Sequence, residues 1–236
     1  MIRLHQYPPM FGIPNASPFC MKVETWLRMA GLPFEVVRVV DPRKGPKGKV
    51  PWIEDQGQTI ADSTFILDYL TGAYGDRLHS TLDPEERATS LALQRLIEEH
   101  LYWAIAHGRF MDDEVWPITK TPFLAGFPAP FRPLVGVLVR RTIAKSLHFQ
   151  GMGRHTPEEL SGLACDDLTA LSTVLGDKQY FFGEKPSALD ATAYGFLAQV
   201  LWAPGSRRLR EHMQQTRNLP AYCERIKATF YKGDQV

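Results

Sequence analysis

Apolar and polar residues alternate at the start of the chain, Ile2 and Leu4 against Arg3 and His5, which predicts a strand over residues 2–7. The period then lengthens. Phe19, Val23, Trp26, Leu27 and Ala30 recur at helical spacing and predict a helix over 18–30, stopped by Gly31 with Pro33 two residues on. The β-branched run FEVVRVV at 34–40 reads as a strand buried on both faces. Residues 49–55 (KVPWIED) and 58–61 read as two further strands around Gln56-Gly57. A second helix follows at 63–73, capped by Asp62. The link DPRKGPKG before Lys49 leaves no room for a long helix.

From Asp76 onward the strand signals stop. Leu93, Leu96, Ile97, His100, Leu101 and Ala104 form one helical stripe. Pro117, Pro122, Pro128, Pro130 and Pro133 predict broken structure. Residues 134–149 read as a helix, with Arg140, Arg141 and Lys145 as its polar positions. Thr156-Pro157-Glu158-Glu159 is a capping box with proline at the first helical position, and it opens a helix carrying Leu160, Leu163, Ala164, Leu168, Leu171 and Leu175. Ser187 and Asp190 have the same spacing and open another helix, with Ala193, Phe196, Leu197, Val200 and Leu201 inward; a last helix spans about 220–231. The pattern predicts an α/β domain over residues 1–76 followed by an all-helical domain over 77–236.

Composition narrows the class. The 236 residues are 44% hydrophobic and 22% charged, with a net charge of +1, so a nucleic-acid partner is not expected. No apolar run is long enough to span a bilayer, and the N-terminus lacks the apolar stretch of a signal peptide. The three cysteines, Cys20, Cys165 and Cys223, are odd in number and far apart, which fits a reducing cytoplasm and neither a disulfide framework nor a metal site.

The candidate chemistry sits at helix starts. Ser17-Pro18 is either an ordinary helix cap or a hydroxyl presented to an anion at a positive helix end. A bound thiol with a free pKa near 8.5 must gain roughly 2.7 kcal/mol to be mostly thiolate at neutral pH. One hydrogen bond to an anion contributes about 1.5–3 kcal/mol. Cys20, one turn on, is either a small buried hydrophobe or a working thiol, and Tyr7 at the strand end is a further hydroxyl donor. Val50-Pro51 interrupts a strand: it is an edge proline, or a cis bond that leaves the Val50 backbone free to pair with an extended peptide. Asp62-Ser63 begins a helix whose N-terminus attracts carboxylates. Together these features describe a site for a small anionic peptide.

SPFCMKVETWLRMAGLPFE, KVPWIED and IADSTFILDYL resemble the N-terminal domain of the glutathione transferase superfamily. PEERATSLALQRLIEEHLYW and FFGEKPSALDATAYGFLAQVLW resemble its helical domain, in the branch with failed-axon-connections and metaxin-like proteins. The resemblance is weakest over residues 118–154. It implies a thioredoxin-like domain joined to an all-helical one, a homodimer and a cis Pro51. It implies that Ser17 occupies the thiol-activating position and that Val50 pairs with the cysteinyl part of glutathione. Asp62 and Ser63 then hold the γ-glutamyl amine and carboxylate. Lys44, Lys47 and Lys49 form a basic loop that is either simply solvated or clasps the glycine carboxylate through one of them, with Lys49 as the candidate. Two departures stand out: family members more often carry Glu or Gln where Asp62 stands, and the loop PPMFGIPNA separates Tyr7 from the helix. Metaxin relatives use a membrane tail, whereas this chain ends in TFYKGDQV.

The acceptor is expected between the domains, near His100, Tyr102, Trp103, His107 and Trp116; packing is the alternative role for each. The leading reading is a cytoplasmic glutathione transferase with no metal, acting on a small electrophilic or apolar molecule. The alternatives are a glutathione-dependent thiol oxidoreductase using Cys20 and a non-catalytic interaction module.

Overall fold

The strand β1 (Ile2–Gln6) is central because it finds partners on both edges in the computed structural model, which describes residues 1–78 and 82–232. It pairs in parallel with β2 (Phe34–Arg38) and antiparallel with β3 (Trp52–Asp55), and β3 pairs antiparallel with β4 (Gln58–Ala61), giving the order β2-β1-β3-β4. Leu4 lies opposite both Val36 and Ile53, so one apolar row crosses the sheet. Gln56 and Gly57 both take positive φ, as a tight β3–β4 hairpin requires.

Two strand expectations change. The β-branched run at 34–40 is not buried on both faces: β2 is an edge strand, and Glu35, Val36 and Arg38 are exposed. Its composition reflects β propensity, which edge strands share with central ones. The third strand begins at Trp52 rather than Lys49, because Pro51, which follows a cis bond from Val50, has no N–H to give a ladder.

Helix α1 (Pro18–Met29) is buried almost all round rather than along one stripe. One side covers the sheet through Val23, Trp26 and Leu27; the other packs on α8 (Ala188–Leu201), itself buried from Ala188 to Val200. Gly195 permits this approach: a Cβ there would lie 2.8 Å from the Pro18 carbonyl oxygen and 2.9 Å from the Lys22 nitrogen. Helix α2 (Ser63–Tyr74) starts at Asp62, whose carboxylate accepts from the Thr64 N–H at 3.0 Å.

The helical domain follows its predicted stripe. In α3 (Pro84–Arg95), a π-helical segment (Leu96–Leu101) and α4 (Tyr102–Phe110), the side chains of Leu93, Ile97, Leu101 and Ala104 join one core. The proline-rich stretch is more regular than expected. Helix α5 (Trp116–Phe123) holds Pro117 in its first turn, where no N–H is needed, and ends one residue after Pro122. Then come α6 (Arg132–Gln150), α7 (Pro157–Leu175), α8, α9 (Arg207–Gln215) and α10 (Leu219–Phe230). The short α9 was not anticipated: only Leu209 and Met213 mark its buried face. No helix among the described residues is long and apolar enough to cross a membrane.

Candidate functional site

The first turn of α1 is held by a network that begins at Asn15. Its amide donates to the Tyr7 carbonyl at 2.6 Å, its Oδ1 accepts from the Ser17 N–H at 2.9 Å, and its carbonyl accepts from Gln199 at 2.9 Å. Arg109 completes the frame. It donates to the carbonyls of Ala16 (2.7 Å) and Pro204 (3.2 Å) and to Gln199 Oε1 (2.9 Å). This guanidinium is buried, and burial pulls its pKa down to about 10, so it keeps its charge at neutral pH. A cation held by neutral oxygens therefore lies behind a helix N-terminus that is itself positive.

Ser17 has extended backbone (φ −93°, ψ 120°), and its Oγ accepts from the Cys20 N–H at 3.4 Å. The hydroxyl thus caps its own helix over a long bond and keeps its proton as a donor. Cys20 lies wholly inside the core, and burial pushes its thiol up to about 12. Burial likewise raises the Tyr7 phenol, so it stays protonated.

The anchoring residues come together one helix away. Lys47, Lys49, Val50, Pro51, Asp62, Ser63 and Thr64 line a cleft of about 160 Å³ with Phe19 of α1. Lys44 does not line it. The far wall is Arg95, Glu98 and Glu99, where α3 passes into the π-helical segment. Beneath Ser63 lies Lys22, fully buried, with Nζ 3.3 Å from Ser63 Oγ and 2.5 Å from Glu98 Oε1.

The acceptor candidates separate. His100 Nδ1 lies 2.6 Å from Asp167 Oδ2 on α7, so it serves helix packing and does not line the cleft. Trp103 packs against Tyr102, ring centroids 5.2 Å apart, and Tyr102 packs against Phe19 at 5.0 Å. His107 is partly buried, and burial lowers its pKa. Trp116 joins an aromatic cluster the pattern did not reveal: Phe123 meets Tyr7, Phe11 and Phe110, and Phe110 meets Trp116 at 6.1 Å.

Asn15, Lys22, Arg95, Glu98, Arg109 and Gln199 are further site residues that sequence reasoning missed. The one available signal was charge at helix positions otherwise filled by apolar residues, as with Lys22 between Met21 and Val23 and Arg109 between Gly108 and Phe110.

Comparison with known proteins places this geometry. The family model for the glutathione S-transferase N-terminal domain matches residues 18–115, and that for the glutathione S-transferase C-terminal domain matches residues 164–226. The chain is 35% identical to an isoprene-epoxide–glutathione S-transferase of Rhodococcus sp. (strain AD45), over 98% of this chain and 99% of that protein. It is 32% identical to Failed axon connections of Drosophila melanogaster, over 96% of this chain but 57% of that longer protein. Its fold matches a glutathione S-transferase of Ceriporiopsis subvermispora, solved in complex with glutathione, with a TM-score of 0.64 at 21% identity, covering 100% of this chain and 98% of that one. Two domain matches in order, and a relative alike along almost its whole length, establish that the chain belongs to the glutathione S-transferase family.

Proposed function

We propose that the protein is a glutathione transferase that activates the glutathione thiol for attack on a small electrophile. The observation that carries this reading is the cleft that gathers Lys49, Val50, Pro51, Asp62 and Ser63 at the N-terminus of α2, with Ser17 at the N-terminus of the neighbouring α1. The Val50 backbone pairs with the cysteinyl residue, Ser63 with the γ-glutamyl carboxylate, Asp62 with its amine and Lys49 with the glycine carboxylate. The thiol then comes to the α1 terminus. There the Ser17 hydroxyl donates to the sulfur, while the helix dipole and the buried Arg109 favour the anion.

The aromatic cluster of Tyr7, Phe11, Phe110, Phe123 and Trp116 suits an apolar acceptor held beside that sulfur. The name of the Rhodococcus relative makes an epoxide the first acceptor to try. The thiolate attacks a ring carbon, the C–S bond forms as the C–O bond breaks, and the alkoxide takes a proton from solvent or from the protonated Tyr7 hydroxyl. Holding the two reactants side by side supplies much of the rate. The working form is a homodimer.

Calorimetric titration with glutathione, followed by turnover of a small epoxide, tests the reading. Micromolar binding with turnover supports it, and binding without turnover favours the non-catalytic module. No binding refutes the assignment.

A further inference from the structure

Lys22 is a residue that neither packing nor the thiol chemistry requires. Its side chain is fully buried, an unusual state for lysine, and taking an ammonium out of water is costly. Burial pushes its pKa down while Glu98 opposes that fall. Glu98 is buried too, and its other oxygen accepts from Gln94 at 3.1 Å and Arg95 at 3.4 Å. A well-packed apolar pair commonly does as well for stability as such an ion pair. The second contact of Lys22 is the informative one. Its Nζ donates to Ser63 Oγ at 3.3 Å, so a lone pair of that hydroxyl is occupied and its proton is left to donate elsewhere. Ser63 lines the cleft and is the first residue of α2, so its N–H is one of the helix's unpaired donors.

We infer that Lys22 is a positioning residue for anion recognition: through Ser63 it turns and polarises a hydroxyl donor toward the α-carboxylate of the γ-glutamyl group. The inference rests on reading the cleft as a glutathione site. Charge supports it. The cleft walls carry three basic side chains (Lys47, Lys49, Arg95) and three acidic ones (Asp62, Glu98, Glu99), which balance. Lys22 beneath them tips the site by one positive charge. Glutathione, with two carboxylates and one ammonium, carries one net negative charge. Because Glu98 belongs to the helical domain, the same ammonium also ties that domain to the floor of the cleft.

The test compares glutathione with 4-aminobutanoyl-cysteinylglycine, the same peptide without the α-carboxylate, by calorimetry. The variant is Lys22→Met with Glu98→Leu, which removes both charges and keeps the volume. The wild type should prefer glutathione by about tenfold or more, the worth of one hydrogen bond to an anion. The double variant should lose about tenfold of that preference, glutathione falling about tenfold while the truncated peptide is unchanged. Should that variant not fold, Lys22→Met alone, with Glu98 still held by Gln94 and Arg95, reads the same preference and should cut it likewise. A folded double or single variant that keeps the wild-type preference overturns the inference. So does a wild type that binds both peptides equally, and in that case the glutathione reading survives. A wild type that binds neither peptide overturns both.

Discussion

Replacing Gly195 with alanine sets two opposing effects against each other. In a helix interior, alanine is favoured over glycine by about 1 kcal/mol. At Gly195, however, the new Cβ would meet the Pro18 carbonyl oxygen at 2.8 Å and the Lys22 nitrogen at 2.9 Å, with Lys22 Cα at 3.3 Å. These are backbone atoms, so no rotamer change relieves them. α1 and α8 must separate by about half an ångström to restore ordinary contact. Overpacking of this kind costs about 1–3 kcal/mol, and a clash between two helix backbones belongs at the upper end. The net loss should be about 2 kcal/mol, or about 4–8 °C in Tm for a chain of this size. Gly162 on α7 is the control, since nothing lies within 4 Å of its added Cβ. Gly162→Ala should therefore stabilise by up to about 1 kcal/mol. The assay is thermal and urea unfolding of both variants and wild type at one protein concentration, with glutathione binding measured alongside. Because the displaced turn carries Ser17 and Lys22, Gly195→Ala should also bind glutathione more weakly. A Gly195→Ala protein as stable as wild type would refute the close α1–α8 packing on which the site depends.

Three further outcomes are expected. Ser17→Ala should return the bound thiol toward its free pKa near 8.5, cutting turnover at pH 7 about 20-fold and restoring most of it as the pH rises past 9; an unchanged pH–rate profile would remove Ser17 from the chemistry. Among the three cysteines, Cys165 is only partly buried whereas Cys20 and Cys223 are fully buried. Iodoacetamide at pH 8 should therefore label Cys165 first, and since the Cys20 thiol is pushed up to about 12, raising the pH to 9 should not expose it. Fast labelling of Cys20 in the folded protein would revive its role as a working thiol. Asp190→Ala should cost about 3–5 kcal/mol in urea unfolding, because it strands buried donors. The carboxylate accepts from the Phe181 N–H, the Ser187 N–H and hydroxyl, and the Tyr222 hydroxyl at 2.7–3.0 Å. A loss under 1 kcal/mol would show that these donors find other partners.

What could be read in the sequence was local. The starts at Ser17-Pro18, Asp62, Thr156 and Ser187 follow from side chains that satisfy a helix N-terminus within three residues, and each lies where the pattern put it. What could not be read depends on partners far away in the chain. The run at 34–40 is β-branched whether it lies at the centre or the edge of a sheet, so its exposure was hidden. Lys22 and Glu98 stand 76 positions apart, and nothing in either neighbourhood announces the other. The stripe marks His100 as a packing histidine but cannot show its partner, Asp167 on α7. In the cleft, Lys49, Val50, Pro51, Asp62 and Ser63 were legible from short motifs. The opposite wall of Arg95, Glu98 and Glu99 was not, because the π-helical segment that sets it has no sequence mark.

The two ends of the site share one ruler. Ser17 caps α1 and Lys22 lies five residues into it, so at 1.5 Å per residue their backbones are about 7.5 Å apart along the axis. In the function proposed above the first serves the glutathione sulfur and the second, through Ser63, the γ-glutamyl carboxylate, so one helix carries both supports. The helix is held on every side: by the sheet, by α8 at Gly195, and at its N-terminus by Asn15, Arg109 and Gln199. That explains why so much polar chemistry is buried around a short apolar helix. Each of those groups fixes where α1 begins, and a shift of that beginning moves both ends of the site together.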